Sequence, residues 1–238
     1  MELTKKILTW ACVASCVLIA GQAAGQEQSR TCRILYLSSG ERAPKGMHLF
    51  DGMASQEVDL PRMNLSKVYK IASGPVALRM LSSQVVDPET IPANAPSVVV
   101  PASAKHIYLL VSKDRSNKVA PVKMAVINAD YDQVKVGEML WFNMTKNTVA
   151  GKIGSRNLKI EPGARAVLKE PARGRVAYPV ELYFRIPGDD FTHPLCETRW
   201  RHDPRSRSIA FIIKDGKRRV PKIYTYNDFR TPEKKASP

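Results

Sequence analysis

The chain has 238 residues, 44% of them hydrophobic, and its 37 lysines and arginines outnumber its 22 aspartates and glutamates, for a formal net charge of +15 at pH 7. This length is enough for one large β-domain or two ordinary domains. The excess of positive charge attracts anionic partners over long distances and argues against cationic ones.

Residues 1–25 have the pattern of a secretory signal peptide. A pair of lysines precedes the uncharged apolar run 7–20, and small residues follow it. The run is shorter than the roughly 20 apolar residues that span a membrane. We therefore expect an exported protein, in the periplasm or outside the cell, with no transmembrane segment in the mature chain. Cys16 ends a lipobox-like sequence and leaves lipidation open as an alternative, although the apolar run continues beyond it.

The mature chain is predicted to consist of short β-strands. Alternation of apolar and polar residues is clearest at 180–186, where the even positions are apolar. Glycine-containing pairs such as Gly154-Ser155, Pro162-Gly163 and Asp215-Gly216 predict tight turns. Seventeen prolines interrupt most windows that could hold a helix. The further strands are predicted, in chain order, at 33–38, 76–80, 97–100, 107–111, 122–128, 139–143, 149–153, 157–160, 195–202 and 209–213.

Many short strands with frequent turns are typical of β-sandwiches. The hydrophobic pattern thins near residue 130 and resumes near 137. We therefore predict an all-β protein with two tandem antiparallel, immunoglobulin-like β-sandwich modules at 32–129 and 137–229. Residues 230–238 are predicted to form a disordered tail. The strands at 34–38 and 139–143, each carrying an aromatic residue, open the two modules in a similar way.

Two resemblances to known proteins follow from these strands. The opening strand of the first module and the Gly74-Pro75 strand resemble small exported bacterial β-sandwich domains of unknown function, which implies fold and export but no chemistry. The aromatic–Asn strand at 140–144 is similar to the signature of periplasmic pilus chaperones, although the Arg-Glu and Pro-Pro that flank that signature are absent here. This similarity implies, as the alternative function, an assembly factor that offers an edge strand to a partner subunit.

Two cysteines, Cys32 and Cys196, remain after removal of the signal peptide. Export to an oxidising compartment predicts a disulfide between them, and two buried free thiols are the alternative. Cys196, with His193 and His202 nearby in sequence, loosely resembles a copper site, but no methionine follows to supply the axial ligand. The sequence therefore predicts no metal site, and a metalloprotein is the third hypothesis.

The strongest local signal is an excess of positive charge between residues 199 and 222. Arginine forks suit phosphate and carboxylate groups, and we expect these side chains to form one basic patch on the second module. There is no G-x-S-x-G motif and no phosphate-binding glycine loop, so no catalytic residue, enzymatic activity or cofactor is predicted. The candidate anion-binding residues are Arg199, Arg201, Arg205, Arg207, Lys217, Arg218, Arg219 and Lys222.

These features together predict a non-enzymatic binding or scaffold protein of the cell envelope. Its expected partner is an anionic envelope component, which means a glycan, a lipid head group or an acidic protein. Nucleic acid is not expected outside the cytoplasm.

Overall fold

Short strands and their turns make up the part of the chain that the computed structural model describes, residues 30–38, 42–214 and 218–230. The predicted signal peptide, Cys16, Lys217, the Asp215-Gly216 turn and residues 231–238 of the predicted tail lie outside these residues. A 3₁₀ turn at Pro88–Thr90 begins where the Asp87 carboxylate accepts a hydrogen bond from the Glu89 N–H. The strands are β1 Arg30–Tyr36, β2 Met47–Phe50, β3 Ser55–Val58, β4 Tyr69–Ile71, β5 Val76–Leu81, β6 Ser97–Val100, β7 His106–Lys113, β8 Val122–Asn128, β9 Met139–Asn143, β10 Thr148–Ile153, β11 Arg156–Ile160, β12 Arg165–Leu168, β13 Ala177–Arg185, β14 Thr192–Arg201, β15 Arg207–Ile213 and β16 Lys222–Asp228.

These strands form four sheets of four strands each. Sheet A has the order β4-β1-β7-β8, sheet B β3-β2-β5-β6, sheet C β12-β9-β15-β16, and sheet D β11-β10-β13-β14. The predicted all-β fold is confirmed. The prediction of purely antiparallel pairing is wrong at two ladders, because β1 pairs in parallel with β7 and β9 pairs in parallel with β15. The immunoglobulin-like assignment and the module limits stay predictions.

The second eight strands repeat the pairing of the first eight. β9 to β16 occupy, in sheets C and D, the places that β1 to β8 occupy in sheets A and B. Both parallel ladders join the first and seventh strands of their set. The similar opening strands noted in the sequence are β1 and β9, which hold equivalent positions in this repeat.

Three apolar cores lie between the sheets, which stack in the order B, A, C, D. One core fills the space between sheets A and B, and another the space between C and D. A third joins the outer faces of A and C, so the strands at the centre of the stack are buried on both faces. On β1, for example, Ile34 belongs to the first core and Leu35 to the third. Burying a side chain such as Phe211 in the third core stabilises the fold by about 1.5–3 kcal/mol.

A buried carboxylate, Asp228 on β16, collects charged partners from both repeats. It accepts hydrogen bonds from Arg207 Nη2 at 3.0 Å, Tyr108 OH at 2.6 Å, Arg33 Nη1 at 2.7 Å and Arg230 Nε at 2.9 Å. Burial by itself raises the pKa of Asp228, but the hydrogen bond and charge of Arg230, with the Tyr108 hydroxyl, hold it below its ordinary value. Arg33 and Tyr108 lie in sheet A, so this cluster fastens sheet A to sheet C. Arg230, assigned to the disordered tail from the sequence, is instead held in the cluster.

The predicted disulfide is wrong, because Cys32 and Cys196 are both free thiols in different cores. Cys32 on β1 is fully buried between sheets A and B, and this burial raises its thiol pKa to about 12. Cys196 on β14 is half buried at the edge of the core between sheets C and D. Sheets A and C lie between the two residues, whereas a disulfide requires Cα atoms within about 7 Å.

Candidate anion-binding groove

A groove opens at the end of sheets C and D where β9, β13 and β15 finish. Its volume is about 580 Å³. Met144, Ile186, Pro187 and Pro221 give it an apolar floor, and no aspartate or glutamate lines it among the described residues. The groove therefore combines an apolar surface with a rim of one charge sign. The complete lining is Met144, Thr145, Lys146, Asn147, Ile186, Pro187, Lys214, Arg218, Arg219 and Pro221.

The loop between β9 and β10 is organised by one buried amide, Asn143, which is 1% exposed. Its Nδ2 donates to the carbonyls of Asn147 at 2.7 Å and Ile160 at 3.2 Å. Its Oδ1 accepts from the backbone N–H of Thr145 at 3.1 Å and from the Thr145 hydroxyl at 2.7 Å. Because every polar group of this amide is used, the loop is held in one conformation and forms a rigid wall of the groove.

Four exposed cationic side chains surround the groove. Lys146 comes from the β9–β10 loop, and Lys214, Arg218 and Arg219 come from the connection between β15 and β16. These segments are distant in sequence and meet because β9 and β15 run in parallel and end at the same side of sheet C. Three of the four charges therefore come from the basic segment that follows β15, and the fold adds Lys146 from a distant segment.

A hydrogen-bonded histidine–aspartate pair lies close to Arg219. His193 Nε2 is 2.9 Å from Asp189 Oδ2, and this hydrogen bond, followed by the one from the Phe191 N–H, lowers the pKa of Asp189. The charge of Arg219 acts on Asp189 in the same direction. Asp189 is therefore an anion of the protein itself near the groove, and its main partner is His193.

The predicted single basic patch is wrong, because its members lie in different places. Arg218 and Arg219 line the groove, whereas Arg199 and Arg201 are exposed at the opposite end of sheet D, where Arg201 pairs with Ala177 at the start of β13. Lys222 is half buried at the start of β16, on the groove's side of sheet C, and Lys217 lies outside the described residues.

Two of the candidate arginines are engaged with carboxylates. Arg205 makes a two-pronged contact with Asp203, with Nε 3.1 Å from Oδ1 and Nη2 3.0 Å from Oδ2, and this contact lowers the pKa of Asp203. Arg207 is 1% exposed and bound to Asp228, so it cannot meet an external anion.

Sequence reasoning missed Lys146 and the structural role of Asn143. Lys146 stands alone in its segment, so charge density could not single it out. Asn143 belongs to the aromatic–Asn strand noted in the sequence, and it is also the first residue of an Asn-Met-Thr glycosylation sequon. Its side chain is buried and fully bonded, so the acceptor nitrogen of that sequon is not accessible.

The histidines and Cys196 considered for copper do not converge. No group of three or more His, Cys, Asp or Glu side chains suited to a metal ion occurs in the part of the chain that the structure describes. His193 pairs with Asp189, and the buried His202 lies 3.7 Å from Glu170.

Comparison with known proteins adds no relative: no protein-family model matches the sequence, and no curated protein resembles it significantly. Within the described ranges, no helix is long and apolar enough to cross a membrane.

Proposed function

We propose that this protein is an exported, non-enzymatic binding or scaffold protein of the cell envelope, built from two tandem immunoglobulin-like modules, which binds an anionic envelope component in the groove of the second module. The observation that carries the proposal is the set of four exposed cations around an apolar floor. The signal-peptide pattern of residues 1–25 and the net charge of +15 support the compartment and the sign of the partner.

The groove suits an anion that also has an apolar portion. Met144 and Ile186 offer apolar surface, while Lys146, Lys214 and Arg219 supply charge from two sides. Guanidinium groups bind phosphate and carboxylate through paired hydrogen bonds, and ammonium groups add point charge. The Asn143-stabilised loop holds one side of this arrangement in place before binding, which lowers the entropic cost of association.

The test compares two double charge reversals in the mature protein that change its net charge equally. K146E/R219E alters the groove, and K70E/K123E alters two exposed lysines of sheet A, away from the groove and from β14. The probes are phosphatidylglycerol vesicles for a lipid head group, heparin for an acidic glycan and a polyglutamate peptide for an acidic protein. At low ionic strength we expect K146E/R219E to weaken binding of the preferred probe roughly 30-fold and K70E/K123E to change it only a few-fold. Equal losses in both variants, or none in either, would contradict the proposal.

The chaperone-like alternative stays a prediction with weaker support. It required a cleft between the two modules with a basic anchor. The space between sheets A and C is instead filled by an apolar core, and the arginine beside it, Arg207, is neutralised by Asp228.

A further inference from the structure

The last strand of sheet D, β14, is an edge strand ten residues long. In the part of the chain that the structure describes, it pairs only with β13. An uncovered edge of this length presents a row of backbone donors and acceptors to other chains. This edge strand contributes no residue to the lining of the groove.

The pairing with β13 determines which backbone groups of β14 face outward. Arg199 lies opposite Pro179 of β13, which has no N–H to donate. The Pro179 carbonyl points away from β14 and accepts a hydrogen bond from the Gly154 N–H, next to β10. The backbone N–H of His202, just after β14, donates a hydrogen bond to the Val176 carbonyl, just before β13. Even-numbered residues of β14 therefore bond to β13, and the N–H and C=O groups of residues 197, 199 and 201 point to the free edge.

The side chains at the free edge carry opposite charges. Glu197, Arg199 and Arg201 are all exposed on the outer face of sheet D, while Cys196 and Trp200 pack toward the core. Glu197 lies directly opposite Glu181 of β13, and like charges in this relation are unfavourable. A cation placed on the open side of Glu197 would relieve this repulsion.

We propose that two copies of this chain associate through β14, antiparallel, with Thr198 opposite Thr198 on the two-fold axis. In this register Glu197 of each copy lies opposite Arg199 of the other, with their outward backbone groups bonded to each other. The two D sheets become one eight-stranded sheet. A strand pairing related by a two-fold axis closes on itself, so the product is a dimer and not a fibre.

Charge selects this register over its neighbours. Centring the pairing on Glu197 places two glutamates opposite each other. Centring it on Arg199 gives two attractive Glu197–Arg201 pairs but places two arginines opposite each other. Only the intermediate register, centred on Thr198, has attractive pairs and no pair of like charges. The pairing ends where the bulge between Leu182 and Tyr183 shifts β14, and Pro194 offers no N–H beyond it.

Charge exchange provides the first test. By sedimentation equilibrium of the mature protein, we expect E197R and R199E each to raise the dimer dissociation constant about 10-fold or more, and E197R/R199E to restore it to within about three-fold of the wild-type value. K159E, exposed on β11 at the opposite edge of sheet D, is the control and leaves the constant unchanged. A wild-type protein that stays monomeric at millimolar concentration overturns the proposal, as does a dimer that E197R does not weaken.

Cysteine trapping tests the register. Opposed non-hydrogen-bonded residues have Cα atoms about 4.5 Å apart, within the range of a disulfide. In a C196S background, T198C is expected to form an intermolecular disulfide under mild oxidation faster than R199C or E197C. Faster trapping by either of the other two variants overturns the register. Dissociation of the dimer by a co-purifying smaller subunit that then protects T198C would show that the edge serves a partner protein, and would also overturn the proposal.

Discussion

Replacing Asp228 by Asn tests the inference that one buried carboxylate joins the two repeats. Asp228 is fully buried and balances the guanidinium groups of Arg207, Arg33 and Arg230, whose side chains are 1%, 17% and 13% exposed. The amide keeps the size of the side chain but removes its charge. Arg207 is then left buried without a counter-charge, and the Tyr108 hydroxyl loses its charged acceptor.

The magnitude follows from the burial of these partners. Removing one member of a buried ion pair costs about 3–5 kcal/mol, because the remaining charge stays desolvated. In a protein of this size each kcal/mol lowers Tm by roughly 2–4 °C, so we expect D228N to lower Tm by roughly 6–20 °C. Thermal unfolding of the mature protein, followed by circular dichroism at pH 7, measures this loss. E161Q is the matched control, since Glu161 pairs with Lys159 where both are exposed, and it is expected to leave Tm unchanged.

The pH dependence supplies a second readout of the same substitution. Because the pKa of Asp228 is lower in the folded protein than in the unfolded chain, its contribution to stability is present above the unfolded value of about 3.9 and is lost as pH falls below it. The difference in Tm between wild type and D228N should therefore be constant near neutral pH and shrink below about pH 4. A D228N protein within about 1 kcal/mol of wild type at pH 7 would refute the view that the cluster fastens sheet A to sheet C.

Two further predictions concern the backbone and the thiols. G151A should destabilise the protein by about 1–3 kcal/mol in urea unfolding, because its added Cβ would overlap the Glu181 carbonyl on β13, whereas G52A, also at positive φ but with open space around it, should cost less. In the native mature protein a thiol reagent should modify Cys196 slowly and leave Cys32 unmodified, and both should react after denaturation; a single slow-reducing disulfide in their place would contradict the assignment of separate cores.

Alternation of apolar residues located most of the long strands. On β13 the buried and exposed residues alternate without interruption from Ala177 to Arg185, where the sequence predicted alternation at 180–186. Five strands were missed: β2, β3, β4 and β12, which have only three or four residues each, and β16, which has seven. A strand such as Tyr69–Ile71 is too short for a period of two to stand out, and its pairing with β1 determines its conformation.

The alternation of apolar and polar residues could not predict how the sheets of the two repeats stack on each other. β7 carries apolar residues on both faces, which predicts burial on both sides but not what covers each side. Sheet C supplies the second cover, and nothing local in β7 identifies it.

The candidate site was found only in part, for an electrostatic reason. Counting charges between residues 199 and 222 identified Lys214, Arg218 and Arg219 but treated Arg207 as equivalent to them. Arg207 differs because Asp228, which lies outside the counted segment, faces it across the β15–β16 ladder. The remaining member of the rim, Lys146, joins the groove through the parallel pairing of β9 with β15, which sequence alone did not reveal.

The order in which the chain is synthesised gives the Asp228 cluster a kinetic consequence. Arg33, on β1, obtains its carboxylate from a residue 195 positions later. Domains generally fold from the N-terminus as the chain emerges. Until β9 and β15 have been made, the outward face of sheet A lacks most of its apolar cover, and until β16 has been made it also lacks its counter-charge. Sheet A therefore reaches its final state only after the strands of sheet C have been synthesised.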